Sequence, residues 1–223
     1  MAVTKCRVAG SDYVGVFATA TDRHVFMGND VPISVKTLVA HTLDVEAVEM
    51  SIFASDLIGI FSRANSNGII VSNLIDDREL DALKKKKLGI NIAVLESGMN
   101  AIGNNIIAND KIALINEDYS NEAAKVVQDT LGVEVVRMVI GGFKTLGANN
   151  IMTNKGFVIN NRSTDEEKEQ VDKLIRMKSV STTANTGSVN IGLSVITNSK
   201  GIVVGDATTG FELARIMEGL ELE

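Results

Sequence analysis

The sequence predicts an α/β (α+β) protein whose five similar units close into a ring with pseudo-fivefold symmetry. A hydrophobic residue followed by glycine recurs five times along the chain, as Val14-Gly15, Ile58-Gly59, Ile102-Gly103, Leu146-Gly147 and Ile191-Gly192. These glycines are 44, 44, 44 and 45 residues apart, and a constant period of this length indicates a repeat architecture. The period also nearly closes, with 46 residues from the last glycine across the chain ends to the first. A ring is therefore favoured over a linear solenoid, whose terminal repeats would be atypical.

Two further similarities support the repeat. Residues 6–17 align without a gap with residues 50–61, and both segments contain Ser-Asp at the same place. An apolar run also follows each glycine by nine or ten residues, at 25–26, 69–71, 112–114, 157–159 and 202–204. Weak identity with regular spacing is typical of one structural unit used five times.

Each unit is predicted to consist of two strands, a helix and a third strand. In the first unit the strands are expected at 13–19 and 24–27, with a helix over 34–43 and a strand over 45–51. Ser34 is the predicted helix N-cap, since serine side chains bond the free amides of a first turn. Residues 3–9 are predicted to be the third strand of a unit that begins near the C-terminus.

In the second unit, strands over 58–63 and 68–71 are joined by a turn rich in Asn, Ser and Gly. Its helix opens with Asp76 and Glu79 at capping-box spacing and ends in the lysine run 84–87. That run could bind RNA, but a solvated helix end that complements the helix dipole is the favoured interpretation. The third unit is predicted to have a strand over 110–116, a helix over 121–131 and a strand over 133–140.

The fourth and fifth helices are predicted to begin at capping boxes formed by Ser163 with Glu166 and by Thr209 with Glu212. We expect one domain over residues 1–223, with units near 10–53, 54–97, 98–141, 142–186 and 187–223, the last closed by strand 1–9. Strands would surround the axis and helices would lie outside. The repeat glycines are expected in the strands, where backbones approach most closely.

Composition limits the function classes. The chain is 45% hydrophobic and 22% charged, and contains one proline and one cysteine, which favours a soluble cytoplasmic protein without disulfides. No apolar run reaches 18 residues, so no membrane partner is expected. The net charge of −6 disfavours binding to DNA or RNA through overall charge. Contact with an RNA-containing partner would need a local patch or that partner's protein surface.

Several segments resemble one known family along the whole chain. They are residues 101–104 (AIGN), 109–111 (NDK), 131–137 (LGVEVVR), 183–188 (TANTGS), 198–205 (NSKGIVVG) and 208–213 (TTGFEL). Their order and spacing resemble the translation initiation factor 6 family, the ribosome anti-association factors of archaea and eukaryotes. The five-unit ring is similar to the pentein fold.

The resemblance implies a non-enzymatic protein that binds the large ribosomal subunit on the face that meets the small subunit. It would contact a ribosomal protein near the sarcin–ricin loop of the rRNA, act as a monomer, and prevent premature subunit joining. The same resemblance implies a part in late maturation of the large subunit. It implies no cofactor.

Enzymatic penteins provide the alternative function, since they include guanidine-modifying enzymes with a cysteine nucleophile and a histidine. The only cysteine here is Cys6, and the only histidines are His24 and His41. Their spacing does not predict that they converge, and Cys6 is interpreted as a small core residue. With no Cys/His cluster, neither a catalytic nor a metal site is predicted. A ring-shaped scaffold unrelated to ribosomes is the third possibility.

The candidate ribosome-binding residues are polar positions beside the repeat glycines: Arg63, Asn65, Gly103, Asn104, Asn105, Asn149 and Asn150. Asparagines next to glycine often only close turns. The functional hypothesis is that equivalent positions gather at one end of the ring as a hydrogen-bonding surface. Asn104 is the strongest candidate, because it falls on the family motif that the resemblance places at the ribosomal interface.

Overall fold

The computed structural model describes residues 2–222 and contains five three-stranded sheets around a central axis. In each sheet an inner strand lies nearest the axis, a middle strand follows, and an outer strand completes the sheet. The inner strands are Ala18–Ala20, Ser62–Ala64, Ile106–Ala108, Ile151–Met152 and Val195–Thr197. The middle strands are His24–Gly28, Gly68–Ser72, Ile112–Asn116, Phe157–Asn160 and Gly201–Gly205. The outer strands are Glu46–Met50, Asn91–Leu95, Glu134–Met138, Ser179–Thr182 and, for the fifth sheet, Ala2–Cys6.

The N-terminal strand closes the ring. Each middle strand pairs antiparallel with its inner strand and parallel with its outer strand. In the fifth sheet the parallel partner is Ala2–Cys6, which pairs with Gly201–Gly205 from one end to the other. The predicted α/β ring of five units is therefore confirmed.

Five outer helices follow the middle strands: Ile33–Leu43, Asp77–Lys85, Asn121–Leu131, Asp165–Ile175 and Gly210–Gly219. Each packs between neighbouring units; Asn121–Leu131, for example, contacts strands of its own sheet and of the preceding sheet. None of the helices within residues 2–222 combines the length and the apolar character needed to cross a membrane.

The helix starts were predicted with mixed accuracy. The capping boxes at Asp76 and Thr209 are present. The fourth box is shifted by one residue and uses Thr164 with Glu167, because two hydroxyl residues stand side by side there. Ser34 is not an N-cap, since the first helix begins one residue earlier, after Pro32 with its φ of −54°.

The repeat glycines lie in short helices beside the axis, not in strands as predicted. These axial helices are Val14–Phe17, Ile58–Phe61, Ile102–Asn105, Leu146–Asn149 and Ile191–Ser194. A single helical turn is too short to show helical periodicity, and its apolar residues resemble a strand in sequence. The first residue of every axial helix is fully buried and anchors the turn in the core.

The five glycines contact one another in a closed circle. A Cβ added to Gly59 would collide with the carbonyl oxygen of Gly15, and a Cβ on Gly103 would collide with that of Gly59. The same relation joins Gly147 to Gly103, Gly192 to Gly147, and Gly15 to Gly192. Only a residue without a side chain allows this approach. The predicted crowding at the axis is therefore present, although in helices.

Chain direction gives the ring two different faces. The capping face carries the axial helices, the N-termini of the outer helices, and the loops that follow the outer strands. The hairpin face carries the turns between inner and middle strands and the C-termini of the outer helices. This follows from the alternation of antiparallel and parallel pairing within each sheet.

Five separate hydrophobic cores lie between neighbouring sheets. One cluster, for example, combines Ile70 and Leu95 of the second unit with Ile115 and Leu131 of the third. The remaining clusters likewise mix residues from two adjacent units. Every unit therefore depends on both neighbours for its buried surface.

We expect Gly103→Ala to lower the free energy of unfolding by about 2–3 kcal/mol, because the new methyl group overpacks the axis. Gly98→Ala is the matched control, since a Cβ there meets no atom within 4 Å. It should change stability by less than about 1 kcal/mol. Urea unfolding followed by circular dichroism measures both, because the chain has no tryptophan. Equal stability of the two variants would show that the glycine circle is not tightly packed.

Deletion of residues 1–9 should leave the Gly201–Gly205 strand without its parallel partner. We expect a loss of several kcal/mol, a large part of the ~5–15 kcal/mol typical of folded proteins. Thermal unfolding of the truncated and full-length proteins tests this. A melting temperature unchanged by truncation would argue against closure of the ring by the N-terminal strand.

Candidate functional site

Asn104 breaks the pattern of the axial helices on the capping face. The residue after each repeat glycine is Val16, Ile60, Asn104, Ala148 or Leu193, so four of the five are apolar. Neighbouring axial helices contact one another all the way round the axis. These five residues therefore form one ring, the axial collar, at the centre of the capping face. Asn104 is its single polar member.

The side chain of Asn104 is not used by the fold. Its amide oxygen is buried, yet no donor within residues 2–222 bonds to it. The amide oxygen of Asn100, which precedes the same axial helix, is in the same state. A buried acceptor without a donor costs free energy, and a partner that supplies a donor removes that cost. Two acceptors of the third unit, both on the capping face, are thus unpaired within the described residues.

The other asparagines beside the glycines are structural. Asn105, Asn149 and Asn150 are buried, and each makes hydrogen bonds inside the ring. Asn105 donates to the carbonyl of Ala101 and accepts from the side chain of Asn116 at 2.7 Å. Asn150 donates to its own axial helix and accepts from Asn160. Asn149 donates to Asn190, at 2.9 Å, in the next unit.

Asn65 lies on the hairpin face, at the other end of its inner strand from the axial helix. Its amide nitrogen donates to the carbonyls of Asn109 and Leu131 in the next unit, and it is buried. The seven candidates therefore do not gather at one end of the ring, as the sequence hypothesis supposed. Asn65 follows the inner strand of the second unit, whereas Asn104 precedes the inner strand of the third unit. The two residues therefore lie on opposite faces of the ring.

Arg63 is half-buried at the axis of the ring. It extends from its inner strand into an axial cavity of about 50 Å³, which all five repeat glycines line. Its Nη2 donates to the carbonyl oxygen of Gly103. Burial lowers the pKa of Arg63 to about 10, so the guanidinium remains charged at neutral pH. Of the seven candidates, only Asn104 is a member of the axial collar, and Gly103, Asn105 and Asn149 lie beside collar residues in the axial helices.

Exposed apolar side chains also lie on the capping face, in the first and fifth units, a feature that the sequence reasoning missed. Phe53 is 67% exposed in the loop after an outer strand. Ile33 is 72% exposed and Phe211 76% exposed, both in the first turn of an outer helix. Tyr13, just before the first axial helix, is 39% exposed. Large exposed hydrophobic residues grouped on one face indicate an interaction surface. Phe53 and Phe211 lie beside segments that the sequence predicts as turns and helix caps. A large apolar residue at such a place was the signal that could have revealed this exposed surface.

Glutamates at the third helical position hold the loops of this face. Glu79 accepts from the backbone N–H groups of Phe53 and Ala54, at 2.9 and 2.8 Å, as well as closing its capping box. Glu212 accepts in the same way from Thr186 and Gly187. Burial by itself would raise the pKa of Glu212, but these bonds and those from Thr209 outweigh it and lower the pKa to about 2. The exposed loops are therefore fixed by charged hydrogen bonds.

Cys6 and the two histidines lie on separate elements. Cys6 ends the N-terminal strand, His24 begins a middle strand, and His41 is in the last turn of the first outer helix. Cys6 packs beside a hydrophobic cluster, and burial with the nearby Asp206 raises its pKa to about 11. Its thiol is thus protonated at neutral pH and weakly nucleophilic. Within the described chain no group of three or more His, Cys, Asp or Glu residues is arranged to hold a metal.

Comparison with known proteins gives the family. The model of the eIF-6 family matches residues 3–219. The chain belongs to the eIF-6 family. Translation initiation factor 6 of Thermococcus onnurineus is 36% identical over 224 aligned residues, covering 99% of this chain and 98% of that protein. The protein of the same name from Thermoplasma acidophilum is 37% identical, with coverages of 96% and 97%.

The solved structures show the fold of this eIF-6 family member in an enzyme. A dimethylarginine dimethylaminohydrolase structure matches with a TM-score of 0.50, covering 99% of this chain and 96% of that one. The identity is only 11%, so the likeness concerns the fold alone. The predicted family and the pentein fold are both confirmed. The chain belongs with proteins named translation initiation factor 6, and it shares its fold with one hydrolase.

The pKa of Glu212 leads to a pH-dependent prediction for this eIF-6 family protein. A carboxyl whose pKa falls from 4.5 to about 2 on folding stabilises the folded state above pH 4.5. That stabilisation is lost as the pH falls from 4.5 towards 2. Glu212→Gln should therefore cost about 2 kcal/mol near pH 7, since charged hydrogen bonds are lost.

The difference between wild type and Glu212→Gln should shrink steadily as the pH falls below 4.5. Chemical unfolding at a series of pH values measures it. A difference that stays constant from pH 7 to pH 3 would mean that the charge of Glu212 does not hold the loop.

Proposed function

We propose that this protein binds the large ribosomal subunit through its capping face and prevents the small subunit from joining. The observation that carries the proposal is Asn104, a polar residue with an unused buried oxygen inside an otherwise apolar collar. Four apolar residues at the equivalent positions show that the fold itself does not need a polar group there. Membership of the eIF-6 family supports a partner in the translation machinery.

The two faces differ in what they offer a partner. The hairpin face is polar, and its turns are occupied with each other: Asn109 donates to the carbonyl of Thr153, and Asn198 to that of Thr21. The capping face instead exposes Phe53, Ile33 and Phe211 in the first and fifth units, and it has unpaired acceptors in the third unit. Exposed aromatic and aliphatic anchors near desolvated polar groups are typical of protein interfaces. The capping face is therefore the docking surface of the proposal.

Charge favours a ribosomal protein as the direct contact. The first turns of four of the five outer helices, all on the capping face, contain acids, among them Asp77, Glu122, Asp165 and Glu212. The lysines of the second helix, Lys84 and Lys85, lie in its last turn on the opposite face. An acidic surface is repelled by the phosphates of rRNA and attracted to a basic protein. The proposed site thus lies on a large-subunit protein, with the sarcin–ricin loop nearby.

Steric exclusion is a sufficient mechanism. A compact domain of 223 residues is roughly 45 Å across by the usual size scaling. A body of this size on the intersubunit face leaves no room for the small subunit. In this proposal the protein acts as a monomer in the cytoplasm, performs no chemistry, and must leave before a ribosome forms. Its occupation of that face during late maturation would protect the new large subunit.

Substitution of Asn104 tests the docking face. Asn104→Glu places an unpaired charge in the interface, and burial of such a group costs a few kcal/mol. We expect affinity for purified large subunits to fall roughly 10- to 100-fold, since 1.4 kcal/mol is tenfold. Co-sedimentation measures binding, and sucrose gradients measure the yield of joined ribosomes. The variant should therefore also permit more subunit joining than wild type.

Asn104→Val separates binding from folding. It restores the apolar residue found elsewhere in the collar and removes the unbonded oxygen, so the free protein should be as stable as wild type. Affinity should still fall about tenfold, because the partner's donor loses its acceptor. The control replaces Lys84–Lys87 by serine on the hairpin face and should leave binding nearly unchanged.

If the lysine variant fails to bind while both Asn104 variants bind normally, the docking surface is the hairpin face. If wild-type protein binds large subunits but subunits still join, the anti-association mechanism is wrong. If wild-type protein does not bind them at all, the ring serves as a scaffold for another partner.

A further inference from the structure

Arg63 brings a positive charge into the axial cavity without a carboxylate to balance it. The residues that line the cavity are glycines, alanines, larger apolar residues, Asn150 and Thr197, with Arg63 as the one charged group among them. Asn150 offers nothing further, because its amide nitrogen bonds to Leu146 and its oxygen to Asn160. Thr197 likewise donates its hydroxyl to backbone carbonyls. The cavity therefore holds one cationic side chain and no anionic one.

The guanidinium is only partly satisfied. Nη2 donates to the carbonyl of Gly103, but Nε is buried and has no acceptor within residues 2–222. The carbonyl oxygens of the other repeat glycines are poor acceptors for Nε of Arg63. Each of them lies against the glycine of the following unit and is directed around the ring. A buried charge of this kind is unfavourable unless a counter-charge or a hydrogen-bond acceptor pairs with it.

The cavity has room for such an acceptor. One water-sized group needs about 10–15 Å³, so the cavity accommodates roughly three or four such groups. Its volume of about 50 Å³ excludes large organic anions but admits a halide ion with one or two waters. Arg63 repels a cation from this space.

We propose that the axial cavity binds a small monovalent inorganic anion of the halide class, held by Nε of Arg63. Arg63 spans three units, since it starts in the second, bonds to Gly103 in the third, and lies 2.8 Å from the position of a Cβ on Gly147 in the fourth. An anion beside it neutralises the charge at the point where these units meet. The site exists only in the closed ring, so anion binding stabilises the folded state. This proposal is independent of ribosome binding.

Thermal unfolding at constant ionic strength provides the first test. Chloride or bromide replaces gluconate, which is too large for the cavity, between 0 and about 500 mM; we expect wild-type melting temperature to rise by a few degrees. Arg63→Met should abolish the difference between halide and gluconate. Arg162→Met is the matched control, because Arg162 is exposed and should respond as wild type does. A halide response that persists in Arg63→Met, or is absent from wild type, overturns the proposal.

Crystallography of the wild-type protein provides a second test that does not depend on the stability of Arg63→Met. Crystals grown in sodium bromide should show an anomalous peak in the axial cavity, within about 3.5 Å of the Arg63 guanidinium. Bromide at the surface alone, with the cavity empty of anomalous signal, would overturn the proposal.

Discussion

The close approach of five glycines at the axis is the contact on which the ring depends. Each packs its Cα against the carbonyl of the preceding glycine, and the fifth contact returns to the first. Because the axial helices touch, all five inner strands begin at the same level and the sheets radiate from them. The five cores then form between neighbouring sheets, so a methyl group at the axis disturbs every core at once.

This closed geometry also builds the capping face. The outer helices begin at the face where the axial helices lie, so their free N–H groups and capping glutamates point towards the same loops. The carboxylates of Glu79 and Glu212 close their capping boxes and also accept hydrogen bonds from backbone N–H groups of the loops that precede the axial helices. Phe53 is thus displayed by a backbone fixed on both sides. A rigid scaffold with exposed anchors needs little reordering to bind a partner.

The ring itself does not determine function. The same fold carries a hydrolase at 11% identity and, in this chain, a translation initiation factor. What differs is the chemistry placed on the faces and along the axis. Here the thiol of Cys6 is protonated in the packed closing strand, while Asn104 directs an unused acceptor into the collar. In the proposed function, an exposed face binds the partner and no reactive centre takes part.

The sequence by itself determined the repeat, the closure of the ring, most helix starts and the family, because these depend on spacing and on local hydrogen bonding. Only the tertiary contacts show which of the six polar candidates has an unpaired side-chain oxygen. Asn104 and Asn105 are adjacent, yet only Asn105 meets Asn116 and becomes structural. Arg63 points inward because glycines of two other units leave space for it. Contacts between different elements of the fold, within a unit for Asn105 and between units for Arg63, made these choices, and no local pattern contains them.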